Sequence, residues 1–317
     1  MQSSLGTMNA VRIHEFGGPD VLQLEDAPIP EPNAGQILIK VHAAGVNPVD
    51  GKIRTGKFKR FRPRLPAILG RDFSGVIVRL GEDVTDWKIG DEVFGMLDYT
   101  RGAYAEYCVA LPSEIVRKSL QLDHLRAGCV GVAGQTAWQA LFRCGELQTG
   151  QRVLIHGAAG GVGHFAVQLA TAHGAEVIAT VSPEDVEWVS ELGAVETIDY
   201  KSQRFEEVVY DIELVVDLIG GETTQRSWQV LRPGGILVST LGSPATPATA
   251  PVGTRGREVI VEFQPIQMER IASQAVARQL RIEIDHIYPL ANADQAHEYL
   301  EQDHARGKTV LSIAEDQ

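Results

Sequence analysis

Cysteine is scarce in this chain. Cys108, Cys129 and Cys144 form no C-x-x-C pair and are odd in number. That argues against a disulfide framework and places the thiols in the core of a protein from a reducing compartment. Positive charge is also short: 29 Lys and Arg against 41 Asp and Glu leave a formal net charge of −12. Nucleic-acid binders need clustered positive charge, so that class is disfavoured, whereas a cofactor phosphate needs only a local basic patch. No apolar run is long enough for a membrane span and no cleavable signal is visible. A cytoplasmic protein is the expectation. Internal repeats are absent, and the one compositionally biased stretch, 242–253, reads as a mobile loop. Residues 1–7, polar and followed by Met8, read as a disordered leader or an alternative start. What is present is 317 residues of ordinary hydrophobic content, enough for one large or two modest domains.

The most informative stretch is 151–170, QRVLIHGAAGGVGHFAVQLA. Val153, Leu154 and Ile155 predict a strand buried on both faces. Val162, Phe165, Ala166, Leu169 and Ala170 share one helical face. Between them, Gly157, Ala158, Gly160, Gly161, Val162 and Gly163 form a glycine-rich turn spaced G-x-x-G-x-x-G. A helix opening from such a turn presents free N–H groups to an anion, and glycines let a pyrophosphate approach the backbone. A strand expected at 176–181 completes one βαβ unit. A tight turn with no ligand is the plain alternative for the glycines alone.

Around this unit the chain changes character twice. Short strands and turns dominate the first third, with strands expected at 10–16, 22–25, 36–44, 67–80, 91–96 and 105–109. The stretch 119–145 turns helical. Strands at 152–156, 176–181, 196–198, 212–217, 235–240 and 258–263 then alternate with helices near 161–173, 184–192, 222–231 and 266–279. That is the doubly wound α/β plan. A strand at 282–288, a helix at 294–302 and a strand at 309–313 read as a return to the first domain. The expected fold is a Rossmann sheet inserted in a mostly β, partly open barrel.

Several short motifs now fall into order: Gly45–Asp50 (GVNPVD), Gly102–Tyr107 (GAYAEY), Gly134–Ala137 (GQTA), the glycine turn and Gly307–Leu311 (GKTVL). With them the chain resembles the zinc-independent quinone oxidoreductase group of the medium-chain dehydrogenase/reductase superfamily, from about Met8 to Ile313. The resemblance implies a GroES-like catalytic domain over 8–126 and 282–317, and an NADP(H)-binding Rossmann domain over 127–281, with nicotinamide in the cleft between them. Zinc enzymes of the superfamily place a cysteine where this chain has Asn47 and a His-Glu pair where it has Arg71-Asp72; the four-cysteine structural lobe is missing too. An amide and a guanidinium are poor zinc donors, so no metal is expected. Without a Lewis acid for an alkoxide, the implied chemistry is hydride delivery to an electron-poor acceptor: a quinone, or the β-carbon of an enone or enal.

NAD enzymes usually carry an acid after the second strand. Here Val181-Ser182 stands there, and a hydroxyl suits a 2′-phosphate, which favours NADPH over NADH; Asp185 weakens this reading, and Tyr200, Lys201 and Arg204 offer further phosphate contacts. Cofactor contacts are expected from Asn47, Pro48, Thr136, Gly157, Ala158, Gly160, Gly161, Val162, Ser182, Tyr200, Leu218, Ile219, Leu241 and Lys308. Donors to the developing oxyanion are Asn47, Lys52 and Tyr104, with Lys52 read equally as a surface charge and Tyr104 as packing. The basic stretch 55–64 steers an anionic partner or is simply solvated. His156 and His164 read as structural. The strand at 258–263, at the sheet edge, predicts a homodimer. Competing readings are an enoyl thioester reductase and, from another class, a non-catalytic NADPH-binding sensor or structural protein.

Overall fold

Branched apolar residues place the strand Arg152–His156 in the middle of a six-stranded parallel sheet. The computed structural model describes residues 6–302 and 305–314. In this sheet the first strand lies between the second, Glu176–Val181, and the fourth, Ile212–Asp217. The third, Glu196–Asp199, forms one edge; Leu231–Ser239 and then Arg255–Glu258 follow on the other side. The order 3-2-1-4-5-6 is that of a dinucleotide-binding sheet. Leu154, Ile178, Val215 and Leu237, one from each central strand, pack with Phe205 and Trp228 in its core.

The chain divides into two compact units: Met1–Val132 with Phe263–Gln317, and Ala133–Glu262. The sequence reading set the breaks at 126/127 and 281/282. The helix Pro265–Val276 therefore falls in the first unit, not the Rossmann unit.

The first unit holds two sheets. Thr7–Ile13 pairs with Gln23–Pro28 and with the short strand Ala67–Ile68. In the second sheet, Ile37–Val46 lies between Asp72–Leu80 and Lys308–Ser312, and the C-terminal strand thereby joins the N-terminal half. Alternating residues Ile37, Ile39 and Val41 face Phe73, Ile77 and Leu311 in one core. The architecture is a mixed α/β fold with an open, mostly β first unit; no closed barrel is formed among the described residues.

Four expectations are corrected. Thr7 already belongs to the first strand and Gly6 accepts the Ile29 N–H, while residues 1–5 of the supposed leader lie outside the described residues. The helical stretch 119–145 is broken into His124–Ala127, Gly131–Trp138 and a π-helical segment Gln139–Cys144. Gly131 explains one break: a Cβ there would lie 2.4 Å from Asp72 Oδ1, which accepts the Val132 N–H at 2.6 Å. The helix expected at 222–231 stops at Ser227, because Leu231 already enters a strand. The edge strand is Arg255–Glu258, not 258–263. Past it, the Val259 N–H still bonds Ser239 O, and then the side chains of Gln139 and Arg143 bind the backbone of Glu262 and Ile260.

Candidate functional site

The glycine turn has the geometry its spacing predicts, and each glycine has a separate reason. Gly157 takes φ +70°, a conformation that side chains disfavour. A Cβ on Gly163 would stand 2.2 Å from Gly157 O, so only glycine lets the helix Gly163–Ala172 pack on the turn. Gly160 is different: its Cβ would meet nothing closer than 3.4 Å. The protein's own packing therefore does not demand glycine there. Among the described residues no backbone acceptor engages the N–H of Gly161 or Val162, which leaves both for an anion at the helix start. Ala158 is buried beneath the turn.

His156, Thr180, Asp217 and Ser239 lie side by side in register at the carboxyl ends of four adjacent strands, the place where this architecture binds ligands. His156 is held by the hydroxyls of Thr180 (2.9 Å) and Ser227 (3.0 Å), and burial pushes its pKa down to about 4. It is a neutral structural residue. His164 bonds Gly160 O, also within the fold. Asp217 accepts the N–H groups of Ile219 and Gly220 at 2.9 Å each, and the Thr224 hydroxyl. It thus shapes the loop after its strand. Ile219 and, after the next strand, Leu241 are about half exposed, apolar surfaces offered at the ligand end of the sheet; Leu218 lies beside Gly157. Thr136 is buried in the helix Gly131–Trp138.

After the second strand, Ser182 is not the free donor expected. Its hydroxyl donates to Asp185 Oδ2 at 2.7 Å, and both residues are buried. Tyr200 stands exposed after the third strand, next to Lys201, whose ammonium lies 3.3 Å from Glu184. Arg204 is taken by Glu206 at 2.7 Å.

In the first unit, Asn47 caps the helix Pro48–Arg54, with Pro48 at its first position. The Asn47 N–H donates to Asp50 Oδ2 (2.9 Å). Its side-chain amide donates to Asp72 Oδ2 (2.9 Å), and its Oδ1 accepts from the Lys308 ammonium (2.5 Å). Lysine only donates, so this partner fixes which way the amide faces. Lys308 also donates to Val46 O and lies 4.0 Å from Asp72 Oδ2. Burial raises the Asp72 pKa, and Lys308 opposes that rise. Lys308, 261 and 236 positions after Asn47 and Asp72, therefore shares one buried cluster with them.

Tyr104 and Lys52 do not join Asn47 as open donors. Tyr104 is fully buried and donates to Asp50 Oδ2 at 3.1 Å. Behind it a chain missed by the sequence reading runs from Arg54 through His297 to Tyr104, with contacts of 3.1 and 3.2 Å. A neutral His297 protonated on Nε2 satisfies every member: Arg54 donates to Nδ1, and Nε2 donates to the tyrosine oxygen. Burial beside Arg54 pushes the His297 pKa down to about 3, consistent with that form. Asp50, desolvated, is pushed up to about 7. The available signal was that His297 shares a helical face with buried Ala293. Lys52 lies on the exposed side of its helix.

Among the described residues no group of three or more His, Cys, Asp or Glu side chains is placed to hold a metal ion, and no helix is long and apolar enough to cross a membrane.

Known proteins agree with this architecture. A family model described as alcohol dehydrogenase GroES-like domain matches residues 33–120, and one described as zinc-binding dehydrogenase matches 192–311. The chain is 33% identical to human quinone oxidoreductase, covering 96% of this chain and 98% of the relative. It is 35% identical to the chloroplastic NADPH-dependent alkenal/one oxidoreductase of Arabidopsis thaliana, over 96% of this chain and 79% of that one. The solved structure of the quinone oxidoreductase from Coxiella burnetii superposes with a TM-score of 0.89 at 37% identity, covering 97% of this chain and all of that chain. With its 3-2-1-4-5-6 sheet, its glycine turn and a relative of this similarity along almost its whole length, the chain belongs to the quinone oxidoreductase group of the medium-chain dehydrogenase/reductase superfamily and is an oxidoreductase.

Proposed function

We propose that this oxidoreductase uses NADPH to deliver hydride to quinones or to the β-carbon of enones and enals, without zinc. The carrying observation is the Asn47–Lys308–Asp72 cluster. Although one matching family model is described as zinc-binding, the residues at the metal position do not fit zinc. They are an amide, a guanidinium and a carboxylate, and the Lys308 ammonium already supplies a positive charge beside two of them. Asn47 keeps one side-chain N–H beyond the one given to Asp72, and its carbonyl is polarised by Lys308. Such a donor, aimed at a carbonyl oxygen that gains charge, is worth about 3–4 kcal/mol to the transition state.

The space above Gly160 and the free N–H groups of Gly161 and Val162 fit a dinucleotide pyrophosphate. Gly157, Ala158, Thr136, Leu218, Ile219 and Leu241 would line it, with Tyr200 toward the ribose. When bound, the reduced nicotinamide supplies the hydride. NADPH is favoured by the lack of a free carboxylate after the second strand, where Asp185 is already paired with Ser182, and by the NADPH dependence in the name of the Arabidopsis relative. The test is a parallel assay of chelator-treated protein with NADPH and NADH against benzoquinone, 2-alkenals and an enoyl thioester. Turnover of a quinone or alkenal with NADPH is expected; activity that needs added zinc would overturn the reading. The open edge of Arg255–Glu258 supports a homodimer, and a monomer by sedimentation at micromolar concentration would reject it.

A further inference from the structure

The first unit contains a cavity of about 670 Å³ whose lining is out of keeping with an acidic protein. Five arginines contribute to it: Arg12, Arg62, Arg64, Arg71 and Arg101. Two are neutralised, Arg12 by Glu25 (2.8 Å) and Arg101 by Glu114 (2.5 Å). The other three form no salt bridge with a carboxylate among the described residues, although Arg71 is near enough to Asp72 to oppose the rise of its pKa. Arg62 lies over the Phe16 ring at 4.4 Å, and both Arg62 and Arg64 are exposed. Arg71 is only 6% exposed. Its Nε donates to Leu97 O, its guanidinium lies 3.8 Å from the centre of the Tyr99 ring, and its Nη1 has no hydrogen-bond partner. A buried guanidinium N–H left unpaired is costly and asks for an acceptor. Asp50 is the one acid in the lining, and one of its oxygens is already engaged by the Asn47 N–H and Tyr104.

We infer that this cavity is an oxyanion subsite: it receives a carboxylate or phosphate carried by the acceptor. This deepens the reductase reading and rests on it. Arginine presents a planar fork suited to both anions, and Tyr99 fixes the plane of Arg71. Asp50 links the cavity to Asn47, which gives the anion a defined place relative to the proposed donor. The preferred acceptor is accordingly an electron-poor carbonyl compound with an acidic tail, turned over more efficiently than a neutral quinone or alkenal.

The experiment compares an unbranched 2-alkenal with chains of the same length ending in a carboxylate and in a phosphate ester. With the full chain and saturating NADPH, kcat/KM for at least one anionic acceptor should exceed that of the neutral one tenfold or more, chiefly through KM. Which anion gains more identifies its source. Arg62→Ser/Arg64→Ser should cut this preference below threefold, while Arg79→Ser, an exposed charge outside the cavity, should retain it. No preference, or a preference that survives the double substitution, would overturn the inference. If no acceptor of either charge turns over, the reductase reading fails by itself. Calorimetry with hexanoate and hexyl phosphate then decides the cavity: heat lost in the double variant supports it, and absence of heat rejects it. Unchanged melting of both variants establishes that they are folded.

Discussion

The Lys308 ammonium is 2.5 Å from the side-chain oxygen of Asn47 and 4.0 Å from Asp72. A residue at position 308 of 317 thus completes a cluster begun at position 47. Lys308→Ala would leave Asp72 buried without its cation. We expect a loss of about 3–5 kcal/mol, the usual cost of breaking a buried pair, visible as a large drop in Tm. A melting curve unchanged within a degree would show that the pair does not matter.

Gly160 and Gly163 separate cofactor binding from folding. Gly163→Ala forces a methyl to 2.2 Å from Gly157 O and should cost about 1–3 kcal/mol through overpacking. Gly160→Ala meets nothing closer than 3.4 Å and should leave stability within about 0.5 kcal/mol, as for a surface change. Its NADPH affinity should nevertheless fall about tenfold, or about 1.4 kcal/mol. Fluorescence titration with NADPH and thermal melting of both variants check this; equal NADPH affinity for wild type and Gly160→Ala would remove the argument for the cradle.

Tyr104→Phe tests structure against catalysis. The hydroxyl bridges His297 and Asp50 in a fully buried setting, so its removal should cost about 1–3 kcal/mol of stability through unpaired neighbours. Turnover at a temperature where the variant is folded should change less than about threefold, since general acid–base roles are worth at least a hundredfold. A hundredfold loss of kcat would return Tyr104 to the chemistry.

Asp50 predicts a pH trend in stability. Its pKa is raised by burial from 3.8 to about 7. The folded state therefore binds more protons than the unfolded state between those values, so this contribution is fully present below pH 3.8 and is lost as pH rises through about 7. Each pH unit between the two is worth about 1.4 kcal/mol. Asp50→Asn removes the titration while keeping an acceptor for Asn47 and Tyr104. Its Tm relative to wild type should rise from pH 5 to pH 8; parallel curves would show that Asp50 is not the group responsible.

The phosphate preference can be read at Lys201. Ser182 is occupied by Asp185, whereas Tyr200 and Lys201 remain at the surface after the third strand. Lys201→Ala should raise KM for NADPH several-fold and leave KM for NADH nearly unchanged. Equal effects on both would place the 2′-phosphate elsewhere.

Local pattern carried most of the fold. Branched runs marked the strands of the parallel sheet, and the glycine spacing located the turn, because both depend on neighbours in sequence. The reading failed where a distant partner decided. The expected strand 258–263 is apolar and branched, but pairing ends at Val259, whose N–H bonds Ser239 O, and beyond it Gln139 and Arg143 hold the backbone. Ser182 reads in sequence as a phosphate donor, but its hydroxyl donates to Asp185, three residues on. Tyr104 reads in sequence as a lone donor or a packing residue, whereas burial joins it to Asp50, Arg54 and His297 through residues up to 243 positions apart.

By itself, then, the order of residues determined the doubly wound sheet and the glycine-rich turn at the start of its first helix. These follow from side-chain size and periodicity. Tertiary structure alone decided that Lys308 pairs with Asn47 and Asp72, that Tyr104 is sealed from solvent, and that five arginines gather at one cavity. Charge in a protein is set by what burial brings near it and what it leaves unpaired, and sequence separation carries no trace of either.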